Sequence, residues 1–152
     1  MANHRRKIEE ILDREGWSYR KTERDILLIA SWGAHKWKMD LHCTDEGQVS
    51  CFAAYPWPVP ENRRSSLLAG LNDLNLQQQR GCFLFSPAHG RVLYRCGVQI
   101  LDDYTSYETI KELLLTGAAL TDANWNAVYR LIFGSSGDVP QSRLTEEVKH
   151  GE

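Results

Sequence analysis

Four cysteines and five histidines are the side chains of this sequence best suited to metal binding or nucleophilic chemistry. They are Cys43, Cys51, Cys82, Cys96, His4, His35, His42, His89 and His150. A zinc site usually draws two of its ligands from a short motif such as Cys-x-x-Cys or His-Glu-x-x-His. The cysteines are far apart and the histidines are scattered, so the sequence predicts no metal site and no cofactor.

Nucleophilic and acid–base catalysis have equally weak support in the sequence. Cys43, Cys51 and Cys96 fall at the apolar positions of predicted strands, and burial makes a thiol harder to ionise. The phosphate-binding glycine motifs and the Gly-x-Ser-x-Gly elbow are absent. The adjacent carboxylates at 102–103 and 146–147 lie in predicted loop and tail, where nothing apolar surrounds them. We therefore expect a protein that is not an enzyme and that keeps four free thiols.

The charge of the chain gives no indication of a nucleic-acid or membrane partner. Eighteen basic and twenty acidic residues leave a formal net charge of −2, so neither sign is in excess. The basic residues at 5–7 and 63–64 have acidic neighbours and no interleaved aromatic platform. We expect a protein partner instead of nucleic acid or lipid.

Aromatic residues suggest where such a partner could bind. Trp57 stands between two prolines, which stiffen its backbone, and an exposed rigid aromatic side chain is a typical interface anchor. Tyr55 and Trp37 are its expected neighbours. The sequence thus predicts a protein-binding site made of Trp57, Tyr55 and Trp37.

Helical patterns occur in four parts of the chain. Apolar spacing predicts a first helix ending at Gly16 and a second of about twenty residues that begins at Pro60 and ends at Gly81. A third helix opens with a capping box at 105–108 and is expected to break at Gly117. A last helix is predicted from about Leu120 to Phe133. These helices are expected to flank a sheet.

Strand patterns occur in five segments, 26–30, 37–43, 49–55, 82–85 and 92–98. The first is a continuous apolar run, typical of a central strand buried on both faces, whereas the next two and the last alternate apolar and polar residues. A three-residue hairpin loop at 45–47 would place Cys43 opposite Val49 and Cys51 opposite Leu41. The sequence predicts an α+β fold with an antiparallel sheet of about five strands.

One domain, residues 1–134, is the expected organisation, followed by a flexible tail at 135–152. Residues 138–152 show no apolar periodicity and contain Pro140, which is typical of a segment that cannot offset the entropy of ordering. The first residues contain no apolar signal segment, and no run approaches the ~20 apolar residues of a membrane span. We therefore expect a cytoplasmic protein.

Several short motifs resemble a known family when they are taken in order. They are Gly16-Trp17-Ser18-Tyr19, Val59-Pro60-Glu61-Asn62-Arg63, Leu71-Asn72-Asp73-Leu74-Asn75 and Tyr94-Arg95. Together they resemble the YbjN-like family, bacterial proteins described as candidate sensory transduction regulators and similar in fold to type III secretion chaperones. The resemblance runs from about Lys7 to Gly134.

The resemblance implies an antiparallel sheet flanked by helices, frequent dimerisation and no established catalytic activity. For Arg63, Asn72, Asn75 and Arg95, the polar positions of the pattern, we expect hydrogen bonds that tie the second helix and the last hairpin to backbone groups. The leading hypothesis is a homodimeric protein-binding module, either a regulator or a chaperone-like adaptor. The alternative is a small ligand-binding protein or enzyme whose site is assembled from residues distant in sequence, and an obligate subunit of a larger complex is a third option.

Overall fold

The computed structural model describes residues 3–100 and 107–134. Its helices are α1 (Asn3–Arg14), α2 (Arg64–Leu76), α3 (Tyr107–Ala123) and α4 (Trp125–Phe133), and a single 3₁₀ turn at Glu61–Arg63 precedes α2. Its strands are β1 (Tyr19–Lys21), β2 (Asp25–Trp32), β3 (His35–Cys43), β4 (Gln48–Ala54), β5 (Cys82–Ser86) and β6 (Arg91–Gln99).

The six strands form one antiparallel sheet in the order β1-β2-β3-β4-β6-β5. This confirms the predicted α+β fold with helices beside an antiparallel sheet, with one strand more than expected. The additional strand is β1, whose sequence Tyr-Arg-Lys has only three residues and no apolar alternation. A segment that short carries too little periodicity to be recognised from sequence.

The hydrophobic core lies between one face of the sheet and the helices. Alternate residues of the central strands are buried there, for example Met39, Leu41, Cys51 and Ala53, and they share one cluster with the buried residues of all four helices. The residues between them point to the other face, because successive side chains of a strand alternate. Among the described residues, therefore, the helices cover one face of the sheet only.

The register of the first long hairpin matches the prediction. Leu41 pairs with Cys51 and Cys43 pairs with Val49 across β3 and β4. The loop length fixes this register, because each slip by one residue would turn the apolar side chains away from the core.

The expectation of a doubly buried central strand at 26–30 is wrong. This segment lies in β2, next to the edge strand β1, and only Ile26, Leu28 and Ala30 are buried. Leu27 is half-buried and Ile29 is 42% exposed. A continuous apolar run thus hides an ordinary alternation in which one apolar set faces away from the core.

Two of the predicted helix boundaries also need correction. Gly117 lies inside α3 instead of ending it. Its lack of a side chain has a packing reason, because a Cβ at this position would lie only 3.1 Å from Cys96 Sγ and 3.6 Å from Cys51 Sγ. The glycine allows close approach of helix and sheet. The second helix is shorter than about twenty residues, since a 3₁₀ turn replaces its first turn and α2 ends at Leu76.

The predicted tail at 135–152 lies outside the described residues, so both the tail and the domain boundary at 134 stay predictions. Within the described part of the chain, no helix is both long and apolar enough to cross a membrane.

Candidate protein-binding surfaces

The three aromatic residues proposed as a binding site all lie in the core. Tyr55 is 0% exposed, Trp37 1% and Trp57 4%. The expectation that Trp57 is an exposed anchor is therefore wrong. Whether any of the three contacts a partner remains a prediction, but a partner could not reach them without opening the core.

The packing around Trp57 explains why the proline segment faces inward. Its ring stacks on Tyr55 with centroids 5.8 Å apart, and it meets Trp125 and Tyr129 edge-on at 4.9 and 5.1 Å. The backbone after it is held by a 2.8 Å hydrogen bond from Val59 N to Gly90 O. Trp57 thus closes the core between the last helix and the second hairpin.

The core also holds a histidine–carboxylate pair. His35 Nδ1 lies 2.6 Å from Asp122 Oδ1, and its ring stacks on Trp125 with centroids 4.2 Å apart. This pair joins the start of β3 to the end of α3. His35 is 7% exposed and the Asp122 side chain 25%, so the imidazole is packed in the core and the carboxylate lies at its margin.

Two buried thiols, those of Cys51 and Cys96, face each other from neighbouring strands. Cys51 pairs directly with Cys96 in the β4–β6 register. The hydrogen bond with Cys96 and burial both raise the pKa of Cys51 well above its usual value, which keeps this thiol protonated and unreactive. All four cysteines of the chain are free thiols in this structure.

A crevice opens where β1 stops short of β2, and we call it the edge crevice. It has a volume of about 610 Å³. Its walls are mostly apolar and come from β2, α3 and the segment between α1 and β1, represented by Trp17, Leu28, Trp32, Leu114 and Ala118. Trp32 is 40% exposed there, so an aromatic side chain is already presented to solvent at the rim.

The backbone of β2 is open along this crevice. Pairing with β1 ends at Leu28, while pairing with β3 continues to Trp32. In a two-residue hairpin the residues flanking the turn exchange hydrogen bonds, so Trp32 points its backbone groups at β3 and Ser31 points its own outward. No strand in residues 3–100 or 107–134 pairs with Ser31 on that side. The site therefore offers unpaired strand backbone above apolar walls.

The second candidate surface is the sheet face opposite the helices, which we call the open face. One row of cross-strand neighbours on it consists of Arg20, Leu27, Asp40, Phe52, Arg95 and Cys82. The next row consists of Ile29, Lys38, Ala54, Leu93 and Leu84. Apolar and charged side chains thus alternate along the first row, whereas the second row is apolar except for Lys38, and no helix of the described residues covers either row.

A group of titratable side chains lies on the open face at β2 and β3. His42 Nδ1 is 2.8 Å from Asp25 Oδ1. Burial, followed by the charge and hydrogen bond of Asp25, raises the pKa of Asp40 to about 6. Asp40 Oδ1 is buried and has no partner within the described residues. The Asp40 carboxyl can therefore hold and exchange a proton near neutral pH, while Cys43 and Cys51, the cysteines of β3 and β4, lie in the alternating phase that faces the core.

The polar residues of the family-like pattern divide into two kinds. Asn75 exchanges two hydrogen bonds with the backbone of Phe83, at 2.9 and 2.7 Å, and Arg63 donates to the carbonyls of Leu131 and Ile132 at 3.1 Å each. The structure thus confirms the expected backbone ties for these two. The Arg95 side chain instead extends from the open face and makes no hydrogen bond or ion pair with any described residue.

Neither surface was identified from the sequence. The edge crevice depends on β1 being shorter than β2, which only the pairing reveals. The polar phase of β3 (Lys36, Lys38, Asp40 and His42) does predict a solvent-facing side of the sheet, but the sequence gives no sign that no helix covers it.

The chain matches one family model, described as "Putative bacterial sensory transduction regulator" and named YbjN, over residues 4–130. No curated protein matches the chain significantly.

Solved structures with the same fold are distant in sequence. The crystal structure of E. coli YbjN, described as a putative transcription regulator, matches with a TM-score of 0.58 and 12% sequence identity, and the match covers 78% of this chain and 91% of the YbjN chain. The matching chain of the ExsC–ExsE complex has a TM-score of 0.56 and 11% sequence identity. The match covers 79% of this chain and 89% of that one. The Yersinia pestis type III secretion chaperone SycH, in complex with a fragment of YscM2, has a TM-score of 0.50 and 15% sequence identity. The match covers 79% of this chain and 95% of that one.

Proposed function

The chain belongs to the YbjN family, and on that premise we propose that it is a non-enzymatic protein-binding module, a regulator or chaperone-like adaptor. Its ligand is an extended segment of another polypeptide, and its binding site is the edge crevice. One observation carries the proposal: β1 ends while β2 continues, which leaves the backbone at Ser31 open beside an apolar crevice.

An extended peptide fits both parts of this site at once. Placed in line with β1, it would hydrogen-bond to the outward groups of Ser31, as in β-augmentation. Because its side chains alternate, every second one would enter the space between β2 and α3, where Leu28, Leu114 and Ala118 lie. Backbone bonds would supply affinity, and the crevice would select apolar residues at alternate positions.

The structural neighbours support a protein ligand at the level of the fold. Two of them are complexes, ExsC with ExsE and SycH with a fragment of YscM2. At 11% and 15% identity they share the architecture, and the site on this chain is argued from its own residues.

Two further properties belong to the proposal. The protein acts as a homodimer, as the family resemblance implies. It works in the cytoplasm, where free cysteines remain reduced.

Selection from a phage-displayed library of random peptides tests the binding site. We expect the enriched peptides to carry apolar residues at alternate positions and to lack proline between them. A Ser31→Pro variant removes the outward N–H without touching the bonds to β3, because proline is tolerated where the N–H of a strand faces out. It should weaken binding of an enriched peptide at least about tenfold, the effect of losing one to two hydrogen bonds.

A second variant and a control separate this site from others. Trp32→Ala removes a half-exposed aromatic wall and should weaken the same peptide, as expected for an aromatic anchor. Leu76→Ala changes a side chain that is 79% exposed on α2 and should leave binding unchanged. Peptides without alternation, or equal binding to Ser31→Pro, would exclude the edge crevice.

A further inference from the structure

Two oppositely charged side chains lie symmetrically on the open face. Asp40 of β3 and Arg95 of β6 are the direct neighbours of Phe52 on β4, one on each side. Strands are spaced about 4.8 Å apart, so the backbones of the two residues lie about 10 Å apart, and their side chains form no ion pair with each other in the structure. Asp40 Oδ1 has no hydrogen-bond partner in the described part of the molecule, the Asp40 carboxyl interacts otherwise with Asp25, and no ion pair joins Arg95 to a described residue.

This arrangement is complementary to itself. A two-fold axis parallel to the strands and passing over Phe52 exchanges the positions of β3 and β6. Asp40 of one copy would then face Arg95 of the other, twice in each dimer, with the two Phe52 rings at the centre. The same rotation brings Ile29 on β2 opposite Leu84 on β5 of the second copy.

We propose that the open face is the interface between two copies of this chain, packed sheet against sheet about an axis over Phe52. The inference deepens the homodimer of the proposed function and leaves the edge crevice free. An aligned packing of two sheets at about 10 Å suits side chains of this length. The central row is where the two charge pairs and the phenyl rings lie.

The face is large enough for a stable dimer. Six strands at about 4.8 Å and about seven residues at 3.3 Å give roughly 600 Å² on each copy. The total of about 1,200 Å² reaches the lower limit of specific interfaces. Half-buried Leu27, Leu84 and Leu93, together with Ile29 at 42% exposure, supply the apolar content that a homodimer interface needs.

Charge reversal followed by mixing tests the geometry. Analytical ultracentrifugation of the full chain should give twice the 17.4 kDa protomer mass. Arg95→Asp and Asp40→Arg each replace two attractive pairs by two repulsive ones, so each should raise the dissociation constant at least about 100-fold. An equimolar mixture of the two variants restores both pairs in a heterodimer and should recover the dimer mass.

Controls keep each result interpretable. Arg130→Asp reverses an exposed charge on α4 and should leave the dimer intact, and a chain ending at Gly134 should dimerise equally. Circular dichroism identifies unfolding. If Asp40→Arg is unfolded, Asp40→Lys replaces it in the mixture, and Phe52→Asp, which places two carboxylates on the axis, serves as an independent disruption.

The proposal is overturned by a monomeric wild-type chain, by a dimer insensitive to Arg95→Asp, by a mixture that stays monomeric, or by a dimer that depends on residues 135–152. Peptide binding at the edge crevice is measured separately. It should persist in Arg95→Asp, and the dimer should persist in Ser31→Pro, so the two proposals fail independently.

Discussion

Trp57 shows how a rigid segment can serve the core instead of a binding site. Prolines on both sides stiffen the backbone in either case, so the flanking residues alone do not determine where the ring goes. Here the ring meets Trp125 and Tyr129 of α4, far along the chain, as well as Tyr55 two residues away. The inward position follows from tertiary packing that no local pattern encodes.

Replacing Trp57 by alanine should therefore destabilise the fold. Loss of a buried tryptophan leaves a cavity and typically lowers the free energy of unfolding by about 3–5 kcal/mol. Urea unfolding followed by circular dichroism measures the effect. Leu76→Ala, at 79% exposure, is the control and should stay within about 0.5 kcal/mol of the wild type. A Trp57→Ala protein as stable as this control would contradict the core position.

At the scale of the elements, two glycines with positive φ differ in what surrounds them. Gly16 follows α1 with φ of 74°, and an added Cβ would meet nothing within 4 Å. Gly81 precedes β5 with φ of 66°, and an added Cβ would lie 2.6 Å from the carbonyl oxygen of Arg95. The first glycine is needed for backbone conformation alone, the second also for close approach of two strands.

Alanine at these two glycines should separate the two requirements. Gly16→Ala should lower the free energy of unfolding by about 1–2 kcal/mol, the strain of a left-handed non-glycine residue. Gly81→Ala should cost more, because the Arg95 carbonyl is backbone and must shift with β6. Thermal melting compares the two variants. Equal destabilisation would mean that β5 and β6 adapt without strain.

Local patterns predicted most elements, and pairing between elements accounts for what they missed. Loop length and alternation were enough to predict the β3–β4 register, in which Leu41 faces Cys51. The three-residue strand β1 has too little pattern to detect, and the continuous apolar run of β2 conceals its alternation. Gly117 suggests a helix break in sequence, whereas in the fold it accommodates two thiols. Both candidate surfaces depend on such non-local facts.

At the scale of the whole molecule, the two proposals give different tasks to the edge and the face of the sheet. Within the described residues the helices cover one face, and the proposed dimer would use the other, while the proposed peptide would bind at the edge that the short β1 leaves open. β2 contributes to both, with Ser31 at the edge and Ile29 on the open face. A dimer packed over Phe52 would carry two edge crevices at its periphery, so that one dimer could hold two peptide segments.

The state of Asp40 links this assembly to pH. In the separate chain burial raises the pKa of Asp40 to about 6, the charge of Asp25 acts in the same direction, and His42 and His89 oppose it. In the proposed dimer the guanidinium of Arg95 from the second copy also faces this carboxyl, and a nearby positive charge favours the ionised form. The pKa of Asp40 in the dimer then lies below its value in the separate chain.

Association should accordingly strengthen as pH rises through 6 and weaken as it falls, since the dimer binds fewer protons than two separate chains. With one such carboxyl per copy, we expect the dissociation constant to rise by about tenfold or more between pH 7.5 and pH 5. Sedimentation equilibrium across this range measures it. Asp40→Asn should dimerise more weakly at pH 7.5 and lose this dependence, whereas His42→Gln should keep it. A pH dependence that survives in Asp40→Asn would assign the proton to another group and remove Asp40 from the interface.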